Sequence, residues 1–382
     1  MKFDFAVLGA TGEEGNIASR DLLENGYSVL LCGRNSTRAQ HLLKCKKARF
    51  AYVDLTDVEA TAKVLKSSGA KIALNCAELR LNIEAMKACL SAKVHYLDLG
   101  GLQEMTIKQY KLDKEFRKKK LLALLGCGST PGISNVMTAY AINQLSSVER
   151  IDLGFAWDSN PKVFALPYSF ESIVHELTTP ATIMRNGKLV KSKVCEFTGV
   201  KSFLKLGPQK TYCIVHSEVY TFYKYFRKKG LKEIHYWAGF PDHSFKVIDT
   251  LIKLGFGSKK SAKINGCNVR PVDLSRQVLK NIERPEDYKE TEEVWVKVTG
   301  KKNSEKRVIE VGCSVETKKG WEAYGSNIDT GMTISIMAQM LLGKLITRKG
   351  VVAPEVVVPA KPFFRELTKR GMKIYVDKKQ FL

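Results

Sequence analysis

Up to residue 128 the chain alternates short apolar runs with stretches of helical periodicity. Residues 3–8, 27–32, 50–54, 72–75, 94–97 and 121–125 read as strands, with helices over 16–25, 36–44, 57–67, 83–92 and 105–119 between them. The strand runs are almost unbroken in apolar character, which predicts cover on both faces. Strands interleaved with helices predict an α/β fold, a Rossmann doubly wound parallel sheet, over residues 1–130. After Pro131-Gly132 the periodicity changes. A helix over 134–145 leads into strands that alternate: Ile151, Leu153, Phe155 and Trp157 share one face, as do Val294, Val296 and Val298, and then Ile309, Val311, Cys313 and Val315. A turn at 301–306 joins the last two into a hairpin. Such strands bury one face only, so residues 131–325 are expected to form an α+β domain around a mixed or antiparallel sheet. From 326 to 382 the pattern is helical again. The apolar stretch 331–346 is expected to return to the nucleotide domain, followed by an amphipathic stretch at 362–370.

Composition narrows the class. A length of 382 residues, 44% hydrophobic and 26% charged, suits a soluble chain with two or three cores. No apolar stretch is long enough to span a bilayer, and no basic, cleavable leader precedes the first strand. A cytoplasmic protein without a membrane partner is expected. The nine cysteines include no C-x-x-C pair. Cys32, Cys76, Cys127, Cys213 and Cys313 lie in or just after apolar runs, which favours reduced, buried thiols and no metal site. A reactive thiol at Cys76 or Cys127 is the alternative. The net charge of +23 raises nucleic-acid binding. The lysines, however, occur in short dispersed runs at 118–120, 259–260 and 301–302, with no recognition motif. No nucleic-acid partner is expected, and part of the excess suits an anionic cofactor and substrate.

The loop after the first strand carries the clearest chemistry. In Gly9-Ala10-Thr11-Gly12-Glu13-Glu14-Gly15, Gly9 permits a tight turn, Gly12 lets the backbone approach a pyrophosphate, and Gly15 lets the helix sit close to the strand. The helix N-terminus then faces the phosphates. Its place between a strand and a helix at the start of a doubly wound pattern is the context that confirms it. Gly9, Thr11, Gly12, Glu13 and Gly15 are therefore candidate cofactor residues. The second strand ends in Gly33-Arg34-Asn35-Ser36, with Arg38 close by and no acid. An acid there would repel a 2′-phosphate, whereas Arg34 and Arg38 attract one, so NADP is favoured over NAD. Asp54 either contacts the adenine edge or serves the helix that follows. Asn75-Cys76-Ala77 ends the fourth strand on the ribose and nicotinamide side.

Substrates of such folds sit outside the carboxyl ends of the strands. Asp98 lies there, as a positioner of an amine, a proton relay or a turn residue. The segment 126–135, with Cys127, Gly128 and Pro131, either approaches a ligand or acts as a capped hinge, or both. His216 beside Glu218, within a strand-like run from 212 to 222, is an acid/base candidate or a structural histidine. Tyr168, His235, Tyr236 and Trp237 are further pocket candidates.

Together these motifs resemble the saccharopine dehydrogenase family, which includes saccharopine reductase and lysine 6-dehydrogenase. The resemblance rests on GATGxxG at 9–15, GRN at 33–35, YLDLGG at 96–101 and GCGSTPGISN at 126–135. It continues in PYSF at 167–170, the Pro180-Ala181 and Asn186-Gly187-Lys188 pieces, WAGFPD at 237–242, LGF at 254–256 and GVVAPE at 350–355. It implies a nicotinamide domain, a substrate and dimerisation domain, a homodimer, and hydride transfer at a C–N bond of an amino-acid substrate such as saccharopine or of a polyamine-like amine bearing a carboxylate. From their positions, catalytic roles are expected among Asp98, His216 and Tyr168, and substrate contacts from Cys127, Gly128, Pro131 and Trp237. The chain departs from saccharopine reductases in lacking an arginine just before the GFP block. The HSE triplet at 216–218 resembles the carboxynorspermidine dehydrogenase branch, and residues 168–188 resemble lysine 6-dehydrogenases, which use NAD. A member that binds NADP without catalysis is the remaining alternative. Arg185, beside Asn186-Gly187, is a carboxylate clamp or a hairpin-turn residue.

Overall fold

A computed structural model describes residues 2–381. The first half builds β1 (Phe5–Leu8), α1 (Glu13–Glu24), β2 (Val29–Gly33), α2 (Gln40–Leu43), β3 (Ala48–Tyr52), α3 (Val58–Ser68) and β4 (Ile72–Asn75). There follow α4 (Asn82–Ala92), β5 (His95–Asp98), α5 (Gln103–Tyr110), α6 (Asp113–Lys118) and β6 (Leu122–Leu124). These strands pair in parallel in the order β6-β5-β4-β1-β2-β3. The central strands are buried along their whole length, as unbroken apolar runs require. The helix expected over 105–119 is two. The chain unwinds at Lys111-Leu112, so that Gln109 reaches Asp98 while Phe116 turns into the layer against the sheet.

The second half begins with α7 (Ile133–Ile142) and β7 (Ser147–Asn160), then α8 (Phe170–Thr178), β8 (Thr182–Arg185), β9 (Lys188–Lys191), β10 (Thr198–Phe203) and β11 (Gly207–Cys213). It continues through α9 (Ser217–Phe226), β12 (Glu233–Gly239), α10 (Asp242–Lys253), β13 (Ala262–Ile264), β14 (Cys267–Val269), α11 (Pro271–Leu279), β15 (Lys289–Lys302) and β16 (Glu305–Glu316). The sheet is mixed: β12 runs parallel to β7, while β15, β16, β10 and β11 pair antiparallel. Asn303 and Ser304, both with positive φ, make the two-residue turn of the expected hairpin. The alternating residues fall on one buried face, against which α7 packs. The strand reading of 212–222 is corrected here. Pairing with β12 stops at Cys213, and Val219, Phe222 and Phe226, at helical spacing, bury one side of α9.

The tail comprises α12 (Ile328–Leu342), β17 (Gly350–Val352), α13 (Pro354–Val357), α14 (Ala360–Lys369), β18 (Lys373–Val376) and β19 (Lys379–Gln380). α12 lies so close to α1 that a Cβ at Gly331 would come within 2.5 Å of Ile17. Asp21 ties the two helices to the tail, accepting from Ser335 at 2.6 Å and from Arg370 at 2.8 Å. The tail is not wholly helical, however. β17 extends the parallel sheet beyond β6, and β18 extends the mixed sheet beyond β16. No described helix is long and apolar enough to cross a membrane.

Candidate active site at the domain interface

The glycine loop is built for close approach. Gly9 has φ +79, and a Cβ there would lie 2.8 Å from the Ala77 nitrogen. A Cβ at Gly15 would overlap the Gly9 carbonyl. Gly12 caps α1 with no side chain, so the first-turn N–H groups stay free for phosphate oxygens. The helix therefore starts at Glu13, three residues before the sequence pattern indicates. Thr11 packs its side chain against Gly33, where the second strand ends. Arg34 and Arg38 are exposed there, and Asn35 orders the turn by accepting from the Thr37 N–H at 2.8 Å. Ser36 accepts from Gln40. Asp54 accepts from the Thr56 N–H and hydroxyl, which with Arg34 hold its carboxyl below the usual range. It does not cap α3; Asp57 does. The cradle and the bare helix end fit a dinucleotide.

At the next strand ends, the candidates separate into facing and buried groups. Asn75 donates to Asn82 at 2.9 Å and to Tyr96 at 3.2 Å. Cys76 and Cys127 have thiols pushed up by burial, opposite to what a reactive thiol needs. Cys127 is fully enclosed and points at the Leu124 carbonyl, so its side chain lines no cleft. Asp98 is fully buried. It accepts from Gln109 at 2.5 Å, Tyr96 at 2.9 Å, Asn82 at 3.3 Å and the Gly126 N–H at 2.9 Å. Burial nevertheless raises its pKa. With both oxygens engaged, Asp98 anchors the 126–132 turn to the sheet. That turn is tight: Gly128 donates to the Pro131 carbonyl at 2.7 Å, and Pro131 packs against Gly100 and Gly126.

Opposite stands a group from the mixed sheet. His216 caps the start of α9, and its Nδ1 is hydrogen-bonded to Glu218. The imidazole stacks on Tyr236 with ring centroids 4.0 Å apart and planes at 14°. Its Nε2 points across the interface, 3.9 Å from where a Cβ on Gly101 would sit. Burial opposes the imidazolium, but Glu218 and then Glu176 outweigh it and hold His216 above its ordinary value. Ser134 donates to Glu218 at 2.9 Å, and Tyr168 donates to Glu176 at 2.5 Å. The structure thus brings His216 and Tyr168 together and leaves Asp98 in the interior behind them. Trp237 is elsewhere. Alternation along β12 sends it to the opposite face, where it donates to Asp152 at 3.1 Å, while Tyr236 enters the cleft. Arg185 sits in the β8–β9 hairpin, stacked on Phe197 and 3.5 Å from Glu196.

Residues 5–124 match the saccharopine dehydrogenase NADP-binding domain, and residues 128–372 match the saccharopine dehydrogenase C-terminal domain. The chain belongs to the saccharopine dehydrogenase family. Carboxyaminopropylagmatine dehydrogenase of Synechocystis sp. is 22% identical, covering 96% of this chain and 95% of that one. Carboxynorspermidine synthase of Vibrio cholerae is 23% identical, covering 79% and 77%. Apo saccharopine dehydrogenase (L-Glu forming) from Saccharomyces cerevisiae shares the fold with a TM-score of 0.77 at 13% identity, over 100% of both chains. Members of the saccharopine dehydrogenase family are oxidoreductases acting on CH–NH groups with a nicotinamide cofactor.

In this saccharopine dehydrogenase family member the interface is acidic. Glu218, Glu292, Asp329 and Glu355 are buried, and Glu176 is partly so. Arg370 is the sole buried arginine or lysine among the described residues, and Asp21 pairs with it on the far side of α12. Burial raises Glu176 and Glu355 to about 7. Sequence reasoning missed Glu176, Glu292, Asp329 and Glu355. One signal was available: Glu292 holds the same parity as Val294, Val296 and Val298, an acid at a core position of an alternating strand.

Proposed function

We propose that the chain is an NADP-dependent oxidoreductase that acts on the secondary C–N bond of a carboxyalkylated polyamine. The observation that carries this reading is the acid-lined interface: among the described residues the one buried arginine or lysine, Arg370, is already paired with Asp21, in a protein whose net charge is +23. Buried carboxylates without cationic partners are unfavourable until a cation arrives. A polyamine tail supplies one; saccharopine, with three carboxylates, would add repulsion. The names of the relatives, carboxyaminopropylagmatine dehydrogenase and carboxynorspermidine synthase, point to the same substrate class.

When bound, the cofactor supplies or accepts the hydride at the carbon of the C–N bond. The protein manages the nitrogen. His216 Nε2 faces the glycine pair that ends β5, so it gives or takes the nitrogen's proton, while Glu218 fixes the ring and steadies its charged form. Tyr168 and Glu176 border the same space. Arg34 and Arg38 recognise the 2′-phosphate, and free N–H groups of α1 receive the pyrophosphate. The test is nicotinamide absorbance with carboxynorspermidine, saccharopine and lysine as alternatives. Turnover of the first alone is expected. Preference for saccharopine would overturn the substrate reading, and tight NADPH binding without any turnover would return the chain to a non-catalytic role.

A further inference from the structure

Tyr236 has a fully buried hydroxyl for which no group completes a hydrogen bond. Thr130 lies beside it. The residue before Thr130, Ser129, donates to Glu292 at 3.2 Å and lies beside Asp329. Glu292 is 7% exposed and Asp329 1%, and Asp329 Oδ2 has no partner. Tyr236 comes from β12, Glu292 from β15 and Asp329 from the first turn of α12, so three separate elements aim acceptor oxygens at the 129–130 turn. The described residues contain no set of three His, Cys, Asp or Glu side chains placed for a metal ion. An ammonium, with three N–H donors, suits a phenol oxygen and two carboxylates better.

We propose that Tyr236, Glu292 and Asp329 form a subsite for one ammonium of the substrate tail, separate from the nitrogen that faces His216. The inference rests on the amine reading above and adds that the substrate carries a second cationic nitrogen. Without ligand, Glu292 and Asp329 are two buried carboxylates facing the same turn with no cation beside them, so one holds a proton. The other groups facing them are acidic or neutral: Glu14 from α1, Glu290 from β15 and Cys313 from β16. Burial raises Glu292 well above its ordinary range and Asp329 to about 6. An arriving ammonium replaces that proton, which leaves to solvent.

Calorimetry with spermidine and the cofactor-free protein reads this directly. At pH 6.5, in two buffers of different ionisation heat, wild type should release close to one proton per spermidine. Glu292→Gln and Asp329→Asn should each weaken binding by about tenfold and abolish the release. Tyr236→Phe should weaken binding by about threefold and keep the release. Unchanged affinity in a folded Glu292→Gln, or heat independent of buffer, would overturn the subsite; if both acid variants fail to fold, unchanged affinity in Tyr236→Phe does so. Turnover of carboxynorspermidine with these negative results would leave the amine reading standing. Spermidine binding as expected without any amine turnover would sink that reading and keep the subsite.

Discussion

Tyr236 and Trp237 are adjacent in sequence and serve different sides of β12. Register with β7, which sets Tyr236 opposite Leu153, places the phenol on the buried face. A sequence names both as candidates but fixes neither parity, because the run 234–238 is apolar or aromatic on both faces. Gly9 and Gly15 were legible because backbone geometry admits only glycine there, and Gly12 by its spacing between them. His216 was legible as a residue type beside Glu218, whereas its neighbours Glu176 and Tyr236 come together only through the fold. At this scale Arg34→Asp should raise the NADPH dissociation constant by about 100-fold while changing NADH by under threefold, measured by fluorescence titration. Equal losses for both cofactors would falsify the 2′-phosphate assignment. His216→Asn should lower turnover by about 10²–10⁴-fold with NADPH affinity intact. Wild-type turnover across pH 6–9 would make the histidine structural.

Elements were more legible than side-chain roles. Each strand expected in the first half is present, because buried parallel strands are short unbroken apolar runs. The errors have physical causes. The run after Cys213 is aromatic enough to read as strand, yet Val219, Phe222 and Phe226 need one helical face. β17, β18 and β19 are short and gain their place only by pairing with distant strands. The junction of β1 and α1 gives the test at this scale. In Gly15→Ala the methyl would meet the Gly9 backbone, which cannot move without opening the turn at Ala77. A loss of about 1–3 kcal/mol in urea unfolding is expected, together with loss of NADPH binding. Retained stability and affinity would mean that the helix shifts freely.

Over the described residues, charge is sorted: lysines and arginines outside, and at the domain interface acids whose one basic neighbour is His216. Glu176, raised by burial from 4.5 to about 7, shows the consequence. The folded state holds this proton more tightly, so the group's contribution to stability is complete below its unfolded value and is lost as pH rises through 7. Glu176→Gln keeps an acceptor for Tyr168 and needs no proton. Relative to wild type it should gain on the order of 1–3 kcal/mol between pH 5 and pH 8 in denaturant melts. A difference that stays flat over that range would contradict the assignment.

The strand β17 has a consequence for how the chain is made. During synthesis the nucleotide domain emerges first, but the outer edge of β6 stays bare until residues 350–352 arrive to pair with it. An open, fully apolar edge strand is a template for pairing with other chains. The N-terminal domain therefore does not finish folding as it leaves the ribosome. It waits, with one seam open, for a strand more than two hundred residues downstream to close it.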